Sequence, residues 1–180
     1  MEEVIVIVGP TCSGKTKLSL EIAECINSSI ISADSRQVYK LLNIGTAKPS
    51  QSDLEKVKHH FINELDPKDD FNVSVFASRA SDIISNFIDK NTLPIIVGGS
   101  GLYIKALIDG ITESADTNKE IRMELLELRQ QYGNIYLYNE LNKVDEVSAI
   151  KMLPQNWKRV MRALEVYRLT GKPIWQHHQI

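Results

Sequence analysis

The sequence predicts an α/β fold: a parallel sheet flanked by helices, with a helical insertion subdomain attached. Three observations carry this expectation. Apolar, β-branched runs at 4–8 and 93–97 lack polar alternation, the pattern of strands covered on both faces. Segments of helical period separate the strand candidates, so the strands are joined by crossovers and lie parallel. After Gly110 the strand signal stops, and helical patterning continues to residue 170.

Val4, Ile5, Val6, Ile7 and Val8 form the first strand candidate. Residues 17–27 then carry Leu18, Ile22 and Ile26 on one helical stripe. Ile30 to Ala33 reads as a second strand, ending in Asp34, and residues 52–59 as a short polar helix. Across 74–90, Phe76, Ala80, Ile83, Ile84, Phe87 and Ile88 recur with a period of about 3.6 residues, which marks an amphipathic helix. Residues 93–97 form a third strand, with Pro94 tolerated near its start. Gly98, Gly99, Ser100 and Gly101 break it, and 102–109 resumes as helix.

In the second half, residues 118–132, 134–142, 146–152 and 155–170 read as helices, the last stopped by Gly171 and Pro173. The organisation expected is a core over 1–112, a helical insertion over 113–153, and a basic helix over 154–180 that returns to the core.

Composition narrows the function classes. With 21 basic and 23 acidic residues the net charge is −2, which argues against a nucleic-acid coat protein. The charge is uneven, however: Lys151, Lys158, Arg159, Arg162, Arg168 and Lys172 meet only Glu165 in the last thirty residues. Such a run is commonly a solvated helix face. No apolar run reaches the roughly 20 residues that span a bilayer. The amino terminus lacks the basic, apolar and small-residue order of an export leader. Cys12 and Cys25 have neither metal-ligand spacing nor partners for a disulfide framework. A cytoplasmic location is expected.

Three constellations carry chemistry. Gly9-Pro10-Thr11-Cys12-Ser13-Gly14-Lys15-Thr16 matches the P-loop pattern G-x-x-x-x-G-K-[ST]. Its glycines let backbone N–H groups curl around phosphate oxygens, and the following helix start adds partial positive charge. Lys15 supplies a mobile cation, and the Thr16 hydroxyl is placed to ligate Mg²⁺. The motif lies between the first strand and the Leu18 stripe, as a P-loop requires. Asp34, at the carboxyl end of the second strand, falls at the same crevice. There its carboxylate suits a general base or a water-mediated metal contact, or else it caps the next turn. At Gly98 the strand ends in glycines where P-loop nucleotidases carry a Walker-B acid, which disfavours vigorous nucleotide hydrolysis. Displacement at a phosphorylated carbon fits better. His59 and His60 lack a ligand cluster in sequence and read as capping or packing residues; Trp157 and Tyr167 read as core.

Together these motifs resemble the tRNA dimethylallyltransferases, also called tRNA isopentenyltransferases. The matching pieces are Gly9 to Thr16, then Ile31-Ser32-Ala33-Asp34-Ser35-Arg36-Gln37-Val38-Tyr39, Ile44-Gly45-Thr46-Ala47-Lys48-Pro49 and His59-His60-Phe61-Ile62. They continue with Val97-Gly98-Gly99-Ser100-Gly101-Leu102-Tyr103-Ile104-Lys105-Ala106 and Arg159-Val160-Met161-Arg162-Ala163-Leu164-Glu165-Val166-Tyr167, then Thr170-Gly171-Lys172. Their order along nearly the whole chain separates the resemblance from kinases, which share only the P-loop.

The resemblance implies a P-loop NTPase-like core and transfer of the dimethylallyl group of dimethylallyl diphosphate. The acceptor implied is the exocyclic amine of the adenine 3′ of the anticodon. By the same resemblance Gly9, Pro10, Thr11, Cys12, Ser13, Gly14, Lys15 and Thr16 hold the diphosphate, with Mg²⁺ near Thr16, and Asp34 is the general base. Ser35, Arg36, Gln37, Ser100 and Arg122 match tRNA-contact positions, and Lys158, Arg159 and Arg162 a tRNA-binding stretch. The partner implied is the anticodon stem-loop, with no membrane contact and a monomeric protein. Ser100 stands where threonine is commoner, Arg36 where methionine is, and residues 152–156 depart from the family's Ile-His-Pro-Asn-Asp. Family members run longer, so the chain is expected to be a truncated form.

Overall fold

The computed structural model describes residues 3–110 and 117–177. The chain divides into two compact units, Met1–Ile111 and Thr112–Ile180. The boundary expected after residue 112 lies outside the described residues.

Unit 1 opens with β1 (Ile5–Val8), α1 (Lys15–Ile26) and β2 (Ile30–Ser32). A 3₁₀ turn at Ile44–Thr46 precedes α2 (Gln51–Lys56) and the two-residue strand β3 (His59–His60). The unit continues with α3 (Val73–Asp89), β4 (Ile95–Gly98) and α4 (Gly101–Ile108). The four strands form one parallel sheet in the order β1-β4-β2-β3. This is a P-loop NTPase-like arrangement, a parallel sheet flanked by helices.

Strand alternation decides what each face buries. Ile30, Ile95 and Val97 pack with Ala23 of α1. Ile31 and Ile96 face the other way, against Phe76 and Ala80 of α3 and Tyr103 and Ile104 of α4. The Phe76 and Tyr103 rings stack with centroids 4.6 Å apart. α1 and α4 therefore leave the adjacent strands β1 and β4 on opposite faces. Their diverging connections open a crevice at the carboxyl ends, where open α/β sheets bind ligands.

Two sequence expectations fail here. β1 is not covered on both faces: it is an edge strand, and Val6 and Val8 are 37% and 60% exposed. An apolar run without alternation cannot distinguish a central strand from an edge strand. The helix expected over 52–59 ends at Lys56, and His59 and His60 pair in parallel with Ile30 and Ile31. Two polar residues give no periodic signal, so only the ladder to β2 identifies this strand.

The α2 start carries a capping box: Ser50 accepts from the Asp53 N–H while the Asp53 carboxylate accepts from the Ser50 N–H. Asn72 caps α3 through the N–H groups of Ser74 and Val75.

Unit 2 is helical throughout its described residues: α5 (Lys119–Val144), α6 (Glu146–Ala149), α7 (Trp157–Thr170) and α8 (Ile174–His177). The α5 helix breaks at Gly133, whose φ of 84° and ψ of 177° are open to glycine but not to L side chains. The sequence pattern breaks at the same place. Within unit 2, the segment at 157–170 packs along α5. Val160, Met161, Ala163, Leu164 and Val166 of α7 form one cluster with Leu125, Leu137 and Leu141 of α5. Trp157 is half-buried against that cluster, with the Arg129 guanidinium 3.8 Å from its ring centroid. Tyr167 is half-buried as well.

Gly98 is the tightest point of the sheet: a Cβ built there would meet the Ala33 carbonyl oxygen at 2.1 Å. Gly98→Ala should destabilise unit 1 by about 1–3 kcal/mol, the ordinary cost of overpacking, because the obstacle is rigid backbone. Thermal melts of the substituted and parent chains check this.

Candidate functional site

β1 delivers residues 9–16 to the crevice, and the loop closes with Gly14 at φ 84° as the N-terminal flank of α1. No side chain caps that helix start, so its first-turn N–H groups remain directed at the crevice. The Lys15 ammonium bends back to the Pro10 carbonyl and reaches the Ser13 hydroxyl at 3.4 Å. A bound phosphate would compete with these neutral acceptors for the charge. Gly9 sits close to Ser13: a Cβ there would lie 3.0 Å from the Ser13 hydroxyl, which would have to shift. Cys12 is exposed and takes φ 65°, a left-handed conformation that is costly for a side chain with a Cβ.

Asp34 leaves β2 one residue after Ala33 and lines the same pocket as Thr11, Ser13, Lys15 and Thr16. Its Oδ1 accepts the N–H groups of Arg36 at 2.8 Å and Gln37 at 3.3 Å. The capping role is thus real, but it occupies one carboxylate oxygen. The other accepts no hydrogen bond from the described residues, which leaves it for a proton or a metal-bound water.

The remaining predicted residues sort by what they touch. The Ser100 hydroxyl accepts the Ser35 N–H at 3.2 Å instead of capping α4, and the Ser100 N–H donates to the Ala33 carbonyl at 3.2 Å. These two bonds tie the Asp34 loop to the end of β4. Gln37 lines the pocket with its amide engaged: Oε1 accepts from the Ser32 hydroxyl at 2.9 Å, and Nε2 donates to the carbonyls of Thr46 at 3.1 Å and Ala47 at 3.2 Å. The Arg36 side chain is exposed. In unit 2, Arg122 and Arg162 meet at Glu165, while Lys158 and Arg159 are exposed on α7.

The pocket has a volume of about 360 Å³. Its far wall is built from Thr46, Ala47, Pro49, His59 and Ile62, to which sequence reasoning gave no chemical role. The only signal for them was membership of the matching motif segments, which carries no geometry. Lys48 holds this wall from behind, donating to the Tyr39 carbonyl at 2.6 Å and to Asn63 Oδ1 at 2.7 Å; burial lowers its pKa.

Two oxygen donors suited to a divalent cation line this pocket. The Thr16 hydroxyl makes no hydrogen bond to the described residues, and Asp34 lines the same pocket. Among the described residues no cluster of three His, Cys, Asp or Glu could hold a metal alone. The Thr16 hydroxyl and the Asp34 carboxylate are oxygen donors, the ligand type a hard cation takes when it also keeps waters and shares its shell with substrate phosphates. His59 and His60 do not form a metal site: the His59 Nδ1 donates to the Val57 carbonyl at 2.8 Å, and His60 packs edge-on against Phe87.

An uncapped helix start behind a glycine loop, at the crevice of a parallel sheet, defines a protein of the P-loop NTPase-like class. The comparisons specify which. The family model described as IPP transferase matches residues 37–180, and the chain belongs to that family. It is 46% identical to a tRNA dimethylallyltransferase of Acetivibrio thermocellus, over 99% of this chain and 58% of the relative. It is also 46% identical to one of Halothermothrix orenii, over 94% of this chain and 52% of the relative. Among solved structures it resembles a eukaryotic dimethylallyltransferase acting on tRNA, with a TM-score of 0.81 and 31% identity over 99% of this chain and 44% of that one. The tRNA isopentenylpyrophosphate transferase of Bacillus halodurans gives a TM-score of 0.61 and 39% identity over 96% of this chain and 57% of that one. The chain spans about half the length of the curated relatives it matches. Among the described residues no helix is long and apolar enough to cross a membrane.

Burial lowers the pKa of both His59 and His60 from 6.5. The folded state therefore binds fewer protons than the unfolded one, so their contribution is fully present above pH 6.5 and is lost as pH falls below it. The melting temperature should drop as pH falls below 6.5. His60→Phe, which keeps the contact with Phe87, should flatten that slope in melts recorded across the range.

Proposed function

We propose that this chain carries the donor site and a tRNA-binding surface of a tRNA dimethylallyltransferase. The reaction proposed moves the dimethylallyl group of dimethylallyl diphosphate to the exocyclic amine of the adenine 3′ of the anticodon. The observation that carries this reading is the single pocket containing the P-loop, the half-engaged Asp34 carboxylate and a strand end without an acid. The relatives, named as dimethylallyltransferases acting on tRNA, support the same chemistry.

In this reading the backbone N–H groups of Gly9 to Thr16, with Lys15, bind the donor's diphosphate. An adenine amine is a weak nucleophile, because its lone pair is delocalised into the ring. Asp34 accepts the amine proton as the new N–C bond forms and the C–O bond to diphosphate breaks. The charge left on diphosphate is stabilised by the same donors that held it in the ground state. Mg²⁺, when bound beside Thr16, supplies further neutralisation of that charge. Because Asp34 Oδ1 is held by two backbone N–H groups, its free oxygen is fixed in direction. The target base leaves its stack to reach such a site, as bases do in other base-modifying enzymes. Ser35, Arg36, Gln37 and Ser100 would then lie beside the acceptor, and Arg122, Lys158, Arg159 and Arg162 would contact tRNA phosphates. We further propose that the protein acts as a cytoplasmic monomer.

Labelled dimethylallyl diphosphate and unmodified anticodon stem-loop RNA test the proposal. The assay is run on this chain and on the chain extended by the carboxyl-terminal part of the Acetivibrio thermocellus relative. Asp34→Ala in the extended protein should reduce transfer by roughly 10²–10⁴-fold while diphosphate binding persists. Lys15→Ala should instead weaken diphosphate binding, read by calorimetry with and without Mg²⁺. Absence of label on RNA in the extended protein, alongside an active relative, rules the activity out. Loss of donor binding in Asp34→Ala would reassign Asp34 to the metal.

A further inference from the structure

Among the described residues of unit 2, two acidic side chains lie almost entirely out of water, Asp145 at the start of α6 and Glu165. Glu165, on α7, is 1% exposed. Its Oε2 accepts from two guanidinium groups at once, Arg162 at 2.9 Å and Arg122 at 3.1 Å, and its Oε1 accepts the Asn118 N–H at 3.0 Å. Asn118 in turn caps α5 through the N–H groups of Glu120 and Ile121. One carboxylate therefore fixes the start of α5 and, one turn into that helix, Arg122. On α7 it fixes Arg162, one turn earlier.

The two arginines stay partly in solvent, with side chains 49% and 28% exposed. They border a cleft of about 360 Å³ whose other walls include Leu126, Trp157, Lys158 and Met161. Two cations within about 3 Å of one oxygen repel each other, and the shared anion between them offsets that repulsion. A buried carboxylate with two guanidinium partners is also costly to desolvate, so a structure that needed only packing would be served as well by apolar residues.

We propose that Glu165 is a positioning residue for RNA binding: it sets the spacing and direction in which Arg122 and Arg162 meet successive phosphates. The triad keeps a net charge of +1, so Glu165 lowers the local positive charge while arranging it. This inference rests on the reading of α5 and α7 as an RNA-binding surface.

The sign of one substitution separates positioning from charge. Glu165→Gln adds one positive charge to the surface. If charge alone mattered, the full chain would bind an anticodon stem-loop RNA more tightly. If Glu165 positions the arginines, binding weakens by about tenfold, and the slope of log K against log salt becomes shallower by about 1, as one phosphate contact is lost. Titrations at several salt concentrations, with a fluorescently labelled stem-loop, read both. Unchanged or tighter binding by Glu165→Gln overturns the inference. If that variant loses its cooperative melt, Glu165→Asp is read instead. It keeps the charge but retracts the carboxylate, so weaker binding supports positioning and parental affinity overturns it. Arg122→Ala and Arg162→Ala distinguish the two levels of the argument. If neither weakens binding, the RNA reading of this surface fails and the inference with it. If both weaken binding while Glu165→Gln does not, only the positioning role fails.

Discussion

Where β4 ends, the Gly98 backbone lies against the Ala33 carbonyl so closely that a single methyl group would not fit. This contact between the two central strands governs the chemistry of unit 1. It lets the chain leave β2 and β4 side by side, after which Ser100 can accept from Ser35 and donate to Ala33. Those bonds hold Asp34 at the lip of the P-loop pocket. The glycine run at the end of β4 thus has a structural cause before it has any ligand-binding one.

The pocket is built from segments that serve two purposes at once. Asp34 closes a turn with one oxygen and keeps the other available. Gln37 uses its whole amide to join β2 to the Thr46–Ala47 wall, although the family resemblance makes it an RNA contact. In that arrangement its first service is to shape the pocket. An RNA contact by its side chain would require giving up one of these bonds. Unit 2 follows the same economy on a larger element, where Glu165 anchors a helix start and two arginines through one carboxylate.

Local chemistry was legible in the sequence wherever a residue's role depends on its neighbours in the chain. The P-loop is a property of eight consecutive residues, and the break at Gly133 and the stop at Gly171 are backbone preferences of single positions. Asp34 was legible because a strand end in a parallel sheet has a known outlook. The edge position of β1 and the existence of β3 were not legible, since both depend on which strand lies alongside. The far wall of the pocket stayed hidden for the same reason: Pro49, His59 and Ile62 come together only when the sheet forms.

By itself, then, the sequence determined an α/β core of the P-loop type, a helical second half and membership of the IPP transferase family. These follow from periodicity, glycine spacing and motif order, all of which act through short stretches of chain. The tertiary structure alone decided that Gly98 must be glycine, that Ser100 serves the Asp34 loop, and that Glu165 joins Arg122 across 43 residues of sequence. Each of these depends on distances between segments remote in the chain, and only packing fixes those distances.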